Sequence, residues 1–201
     1  MTIYFTSDLH LTHNKPFIYQ PRGFENIQEH DITVIKNINN TVEVSDTLYI
    51  LGDLIVGDNS KGIDLLNQIQ CKDIHVIVGN HDTDNRIKAY QLECLNIMSV
   101  DFAARFKYKK WSFWLSHYPA MTANFDDGKK SLRQRTWCLC GHTHTNNPLL
   151  DVYNGCYHVD LDAHNCAPIS IDSIVENLRQ WWHEELNSEN ILMKAKTILD
   201  N

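Results

Sequence analysis

Six short apolar runs, rich in β-branched and aromatic residues, recur along the chain at 2–6 (TIYFT), 47–52 (TLYILG), 74–79 (IHVIVG), 111–116 (WSFWLS), 136–140 (TWCLC) and 155–161 (GCYHVDL). Runs of this length and composition read as buried strands. Between them apolar residues fall at helical spacing: Ile27, Val34, Ile35, Ile38 and Val42 around 27–42, then Ile63, Leu65, Leu66 and Ile69 around 61–70. Strands alternating with helices predict an α/β fold. A hydrophobic content of 43% supplies a real core and excludes disorder as the main state.

The C-terminal stretch carries the clearest helix signature. Ser173 and Glu176 have the spacing of a capping box, and Ile174, Val175, Leu178, Trp181, Trp182 and Leu186 follow on one face. Packing onto the core is the plain expectation for that face. A polar break at 187–190 precedes a second apolar-periodic piece with Ile191, Leu192, Ala195, Ile198 and Leu199. No run approaches the roughly 18–20 apolar residues of a membrane span, and the first twenty residues lack a signal-peptide pattern, so a cytoplasmic protein is expected. The six cysteines contain no CxxC pair, which argues against a thioredoxin-like motif or a zinc ribbon. Those of the CLC at 138–140 read as core filler.

What the strands lead into is more informative than the strands themselves. Asp8 and His10 follow the first, Asp53 the second, Asn80, His81 and Asp82 the third, His117 the fourth, and His142 and His144 the fifth. In an α/β sheet, side chains just beyond the carboxyl ends of strands meet in one crevice. Two carboxylates (Asp8, Asp53), one amide oxygen (Asn80) and four imidazoles (His10, His117, His142, His144) are too many for one tetrahedral ion. Two metals sharing a carboxylate fit better. Mixed nitrogen and oxygen donors without thiolate suit Mn, Fe, Zn, Co or Ni more than Ca or Mg. A single DxH or HxH is commonly incidental; their order, their placement after apolar strands, and the glycines at 52, 79 and 141 make the joint pattern specific.

The series DLH (8–10), GD (52–53), GNHD (79–82), SHYP (116–119) and GHTH (141–144) resembles the calcineurin-like metallophosphoesterase superfamily. The likeness spans residues 1 to about 165, and VDLDAHNCAPISID at 159–172 is similar to the end of compact bacterial and phage members. The resemblance implies a four-layer α/β/β/α sandwich with a C-terminal helix. It implies one domain over 1–201, with catalytic motifs in 8–144 and a helical segment over about 172–201. It assigns one metal to Asp8, His10, Asp53 and His144 and the other to Asp53, Asn80, His117 and His142, with Asp53 bridging.

Two such cations lower the pKa of a shared water and clamp phosphoryl oxygens, which predicts a phosphodiesterase or phosphatase using a metal-bridging hydroxide. His81, beside Asn80, is the expected general acid, with Asp82 bracing its ring. The alternatives are a metal-binding interaction scaffold on the same fold and a nuclease of the same superfamily. His13, Asn14 and Arg22 follow DLH closely and are candidates for substrate contact. The 118–140 insert brings Lys129, Lys130, Arg133 and Arg135 into an otherwise acidic chain, most simply as a polar surface loop. Lys and Arg number 18 against 25 Asp and Glu, a formal charge of −7. That balance favours a small phosphoester or nucleotide over a nucleic acid, whose phosphates need clustered cations.

Overall fold

The structure is a computed structural model that describes the backbone of residues 1–122 and 130–199 and the side chains of residues 1–122 and 130–185. In chain order it has β1 (Ile3–Thr6), α1 (Pro16–Tyr19), α2 (Ile27–Thr41), β2 (Thr47–Ile50), α3 (Asn59–Leu66), β3 (Asp73–Ile77), α4 (Asp84–Glu93), β4 (Ile97–Asp101), β5 (Ala104–Tyr108), β6 (Trp111–Leu115), β7 (Thr136–Cys140), β8 (Cys156–His158), β9 (Ile169–Ser170) and α5 (Ile171–Leu199). β1 to β4 pair in parallel and β9 closes that sheet antiparallel, in the order β4-β3-β2-β1-β9. The second sheet runs β5-β6-β7-β8, with β5 antiparallel and the rest parallel.

Alternation along the strands sorts the apolar residues into two cores. Leu48, Ile50, Ile74 and Val76 point to a cluster shared with Val34, Ile35 and Ile38 of α2, Ile63 and Leu66 of α3 and Tyr90 of α4. The opposite face of this sheet presents Phe5, Tyr49, Leu51 and Ile77 to Phe113, Leu115, Trp137, Leu139 and Tyr157 of the second sheet. Phe5 bridges the sheets, stacked on Tyr49 at 5.2 Å and edge-on to Phe106 at 5.5 Å. α5 adds Ile171, Ile174, Val175 and Leu178 to this cluster, with Trp181 and Trp182 partly buried beside it, so its apolar face is a core face. This is the mixed α/β arrangement of two sheets and helices that the sequence predicts.

Differences lie at the ends and edges. The helix cap is not Ser173: α5 begins two residues earlier, and the Ser170 hydroxyl accepts from Ser173 N at 3.1 Å. The α5 backbone continues through the polar 187–190 segment. The side chains of Leu186 and of the apolar residues at 191–199 lie outside the described residues, as does Lys129. Three strands (β4, β5, β9) and helices α1 and α4 had no sequence expectation. No helix among the described residues is long and apolar enough to cross a membrane.

Candidate metal centre

Each sheet delivers its chemistry through tightly curled chain just past the strand ends. β1 leads to Asp8 and His10, which have φ of 58° and 49°, and Asp53 beyond β2 has φ of 55°. His142 and His144, beyond β7, have φ of 74° and 49°. The left-handed region costs a residue with a Cβ about 1–2 kcal/mol, and such strain gathers where function requires it. The parallel ladder is continued by irregular bonds, Asp8 N to Gly52 O at 3.0 Å and His10 N to Asp53 O at 2.9 Å, which bring the first two ligand-bearing turns side by side. Gly79 and Gly141 are needed for close approach: a Cβ at Gly79 would strike Asp53 Oδ1, and one at Gly141 would strike Asp8 Oδ2.

The seven sequence candidates meet. Asp53 Oδ2 lies 3.5 Å from His10 Nε2 and 3.5 Å from His117 Nε2. Asp8 Oδ1 lies 3.8 Å from His10 Nε2 and 3.6 Å from His144 Nε2. Asn80 Oδ1 is 2.9 Å from His117 Nε2 and 2.9 Å from His142 Nδ1. Donor atoms of Asp8, His10 and His144, and of Asp8, Asp53 and His117, form two groups in which all atoms lie within 4.8 Å of one another.

This set fits divalent cations. Asp8 Oδ1 is buried with no hydrogen-bond partner, a costly state for a carboxylate unless a cation satisfies it. His117 Nδ1 donates to Leu51 O at 2.8 Å, so in the neutral ring Nε2 carries a lone pair that faces another acceptor, Asn80 Oδ1. His144 Nδ1 donates to Asp162 Oδ2 at 3.0 Å, which turns its Nε2 to within 3.1 Å of His10 Nε2. Converging lone pairs need a cation between them. Burial pushes His10 down to about 4, which leaves its imidazole neutral at neutral pH, the form that can bind a cation. Burial alone would raise the Asp8 carboxyl, but the imidazoles of His10, His144 and His117 hold it well below the usual carboxylate range.

His81 and His13 line one cleft of about 540 Å³ together with His10, Asp53, His142 and His144. The His81 backbone N–H donates to Asp53 Oδ1 at 2.8 Å, while its half-exposed ring places Nε2 3.9 Å from Asp53 Oδ2. His13 stacks on His10 at 5.2 Å. Asn14 does not join them: it lines a separate hollow between α2 and α3.

Two expectations need correction. Asp82 does not brace the His81 ring. Its buried carboxylate accepts from Asp53 N at 2.8 Å, Leu54 N at 3.2 Å, Gly79 N at 2.9 Å and Tyr90 Oη at 2.8 Å, which spends its lone pairs on the backbone of both ligand turns. Arg22 does not reach into the cleft. Its side chain is 1% exposed, and its guanidinium is spent on Asp162, Asp8 O and His30.

Sequence reasoning missed Asp160 and Asp162. Asp160 Oδ1 accepts from His144 N at 3.0 Å, and Asp162 orients the His144 ring. The signal was the VDLD after β8, two carboxylates flanking Leu161 where the chain turns into a short 3-10 helix over Leu161–His164.

Comparison with known proteins agrees with this geometry. A family profile described as calcineurin-like phosphoesterase matches residues 1–197. An uncharacterised protein of Methanocaldococcus jannaschii is 32% identical over 185 residues, covering 87% of this chain and 89% of that protein. The gene 66 protein of Mycobacterium phage L5 is 28% identical over 180 residues, covering 80% and 86%. A crystal structure of a protein of unknown function from Aquifex aeolicus superposes with a TM-score of 0.66 over 87% of this chain and 98% of that one, at 23% identity, which speaks to the fold.

Proposed function

The chain belongs to the calcineurin-like phosphoesterase family, and from that premise we propose that it hydrolyses a small phosphodiester or phosphomonoester with two divalent transition-metal ions. Asp8, His10, Asp53 and His144 would hold one ion, and Asp53, Asn80, His117 and His142 the other. The observation that carries this reading is the position of Asp53 Oδ2, at 3.5 Å from one imidazole of each set. When bound, two such ions make water a competent nucleophile at neutral pH and withdraw charge from phosphoryl oxygens. Manganese is the first ion to test, since the donor set suits Mn, Fe, Zn, Co or Ni.

The chain's own residues supply the rest. His81 faces the cleft with its ring half exposed and its main chain tied to Asp53, so its imidazole protonates the departing oxygen. Arg86 fixes that turn, with Nη1 to His81 O at 2.7 Å and Nη2 to Val56 O at 2.6 Å. Asp82 is a positioning residue for the Asp53 and Gly79 turns. His13, on the cleft wall, meets the substituent of the substrate. A cleft of about 540 Å³ suits a nucleotide-sized ligand, and a net charge of −7 gives no general attraction for nucleic acid. The test is turnover of an aryl phosphodiester and the matching monoester by metal-stripped protein titrated with Mn²⁺. Hydrolysis that appears with the metal supports the reading, and its absence with the metal bound contradicts it.

A further inference from the structure

On the face of β7 and β8 away from the sheet-to-sheet core, Cys138 and Cys140 alternate with Trp137 and Leu139. The parallel register sets Cys138 beside Cys156 and Cys140 beside His158, so a CxC lies against a CxH. The three sulfur atoms lie within 4.8 Å of one another, and His158 Nδ1 is 3.8 Å from Cys140 Sγ. All four residues are buried, and the cysteines form their own cluster, apart from both apolar cores. A tetrahedral zinc with sulfur at about 2.3 Å spaces its thiolates by about 3.8 Å, so the sulfurs need close by little.

The surroundings match a metal site better than filler. His158 Nε2 is 2.9 Å from Asp151 Oδ2, the carboxylate placed behind a ligating imidazole, and its Nδ1 approaches one of the three sulfurs, that of Cys140. Nδ1 also lies 3.2 Å from Thr143 Oγ1 and 3.3 Å from Asp160 Oδ2, and that carboxylate oxygen is buried without a hydrogen bond.

We propose that Cys138, Cys140, Cys156 and His158 form a second metal site, thiolate-rich and separate from the phosphoester cleft, that takes one soft or borderline cation of the zinc class. Binding releases the thiol protons to solvent and forms sulfur–metal bonds, with no change of oxidation state. The site staples β7 to β8, and hence the strand that ends at Gly141 and His142 to the one that leads to Asp160.

The probe is Co²⁺ alone, added to full-length, metal-stripped, reduced protein. The cleft has no thiolate, so a thiolate-to-cobalt charge-transfer band in the near ultraviolet reports this site only. The expected result is a saturable band whose final intensity corresponds to one thiolate-bound cobalt per chain; it is displaced by Zn²⁺, persists in Asp53→Asn, and is lost in Cys156→Ala and Cys138→Ala. Should the variants fold poorly, the wild-type and Asp53→Asn spectra still decide. Absence of the band in protein whose six cysteines all titrate as free thiols after denaturation overturns the proposal. Finding only four free thiols in unreduced protein, which indicates a disulfide within the cluster, overturns it too.

Discussion

Arg22 and Asp162, distant in sequence, form a two-pronged ion pair behind His144, with Nε to Oδ1 at 3.0 Å and Nη2 to Oδ2 at 2.7 Å. The fork fixes the carboxylate that accepts from His144 Nδ1, and the same Nη2 reaches Asp8 O at 2.9 Å. One buried guanidinium thereby ties the turn after β1 to the segment after β8. The requirement for a planar, always-charged donor explains an arginine here better than substrate contact does.

If Asp162 orients a metal-ligating imidazole, Asp162→Asn weakens one of the two cation sites by about 10–100-fold while the chain still folds. Arg22→Ala strips both prongs from the partly buried Asp162 carboxylate, which keeps only His144 Nδ1, and costs about 1–3 kcal/mol of stability. Mn²⁺ titration calorimetry and urea denaturation of the two variants check this. Wild-type affinity in Asp162→Asn would contradict the orienting role.

A Cβ at Gly79 meets Asp53, whereas nothing lies within 4 Å of one at Gly23, although its φ is 87°. Gly79→Ala is therefore expected to displace Asp53 and abolish retention of both cations. Gly23→Ala costs only the backbone strain of about 1–2 kcal/mol. Metal analysis after gel filtration separates them; equal metal content would show that Asp53 tolerates the shift.

His81 lines the cleft and belongs to neither cation set. His81→Ala keeps two cations and loses about 10²–10⁴ in kcat, the range for a general acid. A leaving group that needs no proton should restore much of that loss. An unimpaired kcat for a substrate with a basic leaving group would remove His81 from the mechanism.

The structure also sets an acid limit far from the cleft. Asp46 accepts from Thr2 N at 2.6 Å and Glu43 N at 3.1 Å, and these bonds, Thr2 first, hold its carboxyl below the ordinary value. A depressed folded-state pKa gives stability that is present above the unfolded value of about 3.9 and lost as pH falls through the folded one. Asp46→Asn should lower the urea midpoint at pH 6 and lower it by less near pH 3, below the unfolded value. A loss of equal size at both pH values would point to packing as the cause.

That the seven candidate residues meet was legible because they follow directly from apolar strands, and strands read well when they are buried. β2 and β3 carry Leu48, Ile50, Ile74 and Val76, each nearly inaccessible to solvent. β4 and β5 are edge strands: β4 loses its alternation at Ser99 and Val100, both half-buried, whereas β5 alternates Ala104, Phe106 and Tyr108 with exposed Arg105 and Lys107, a five-residue run too short and too polar to stand out beside the buried ones. α4 buries only Tyr90, so it has no apolar stripe to detect. The positions of Asp82, Asp162 and Arg22 depend on which turns pack together. Spacing in sequence carries no record of that, so a carboxylate next to His81 read as the partner of His81.

The most direct measurement is the number of Mn²⁺ ions bound per chain, followed alongside aryl phosphodiester turnover in wild type and Asp53→Asn. The account predicts two ions per wild-type chain, turnover that rises with the second, and loss of both binding and turnover in Asp53→Asn. Asp53→Asn protein that retains two ions and full turnover would contradict the shared role of Asp53, and with it the dinuclear centre.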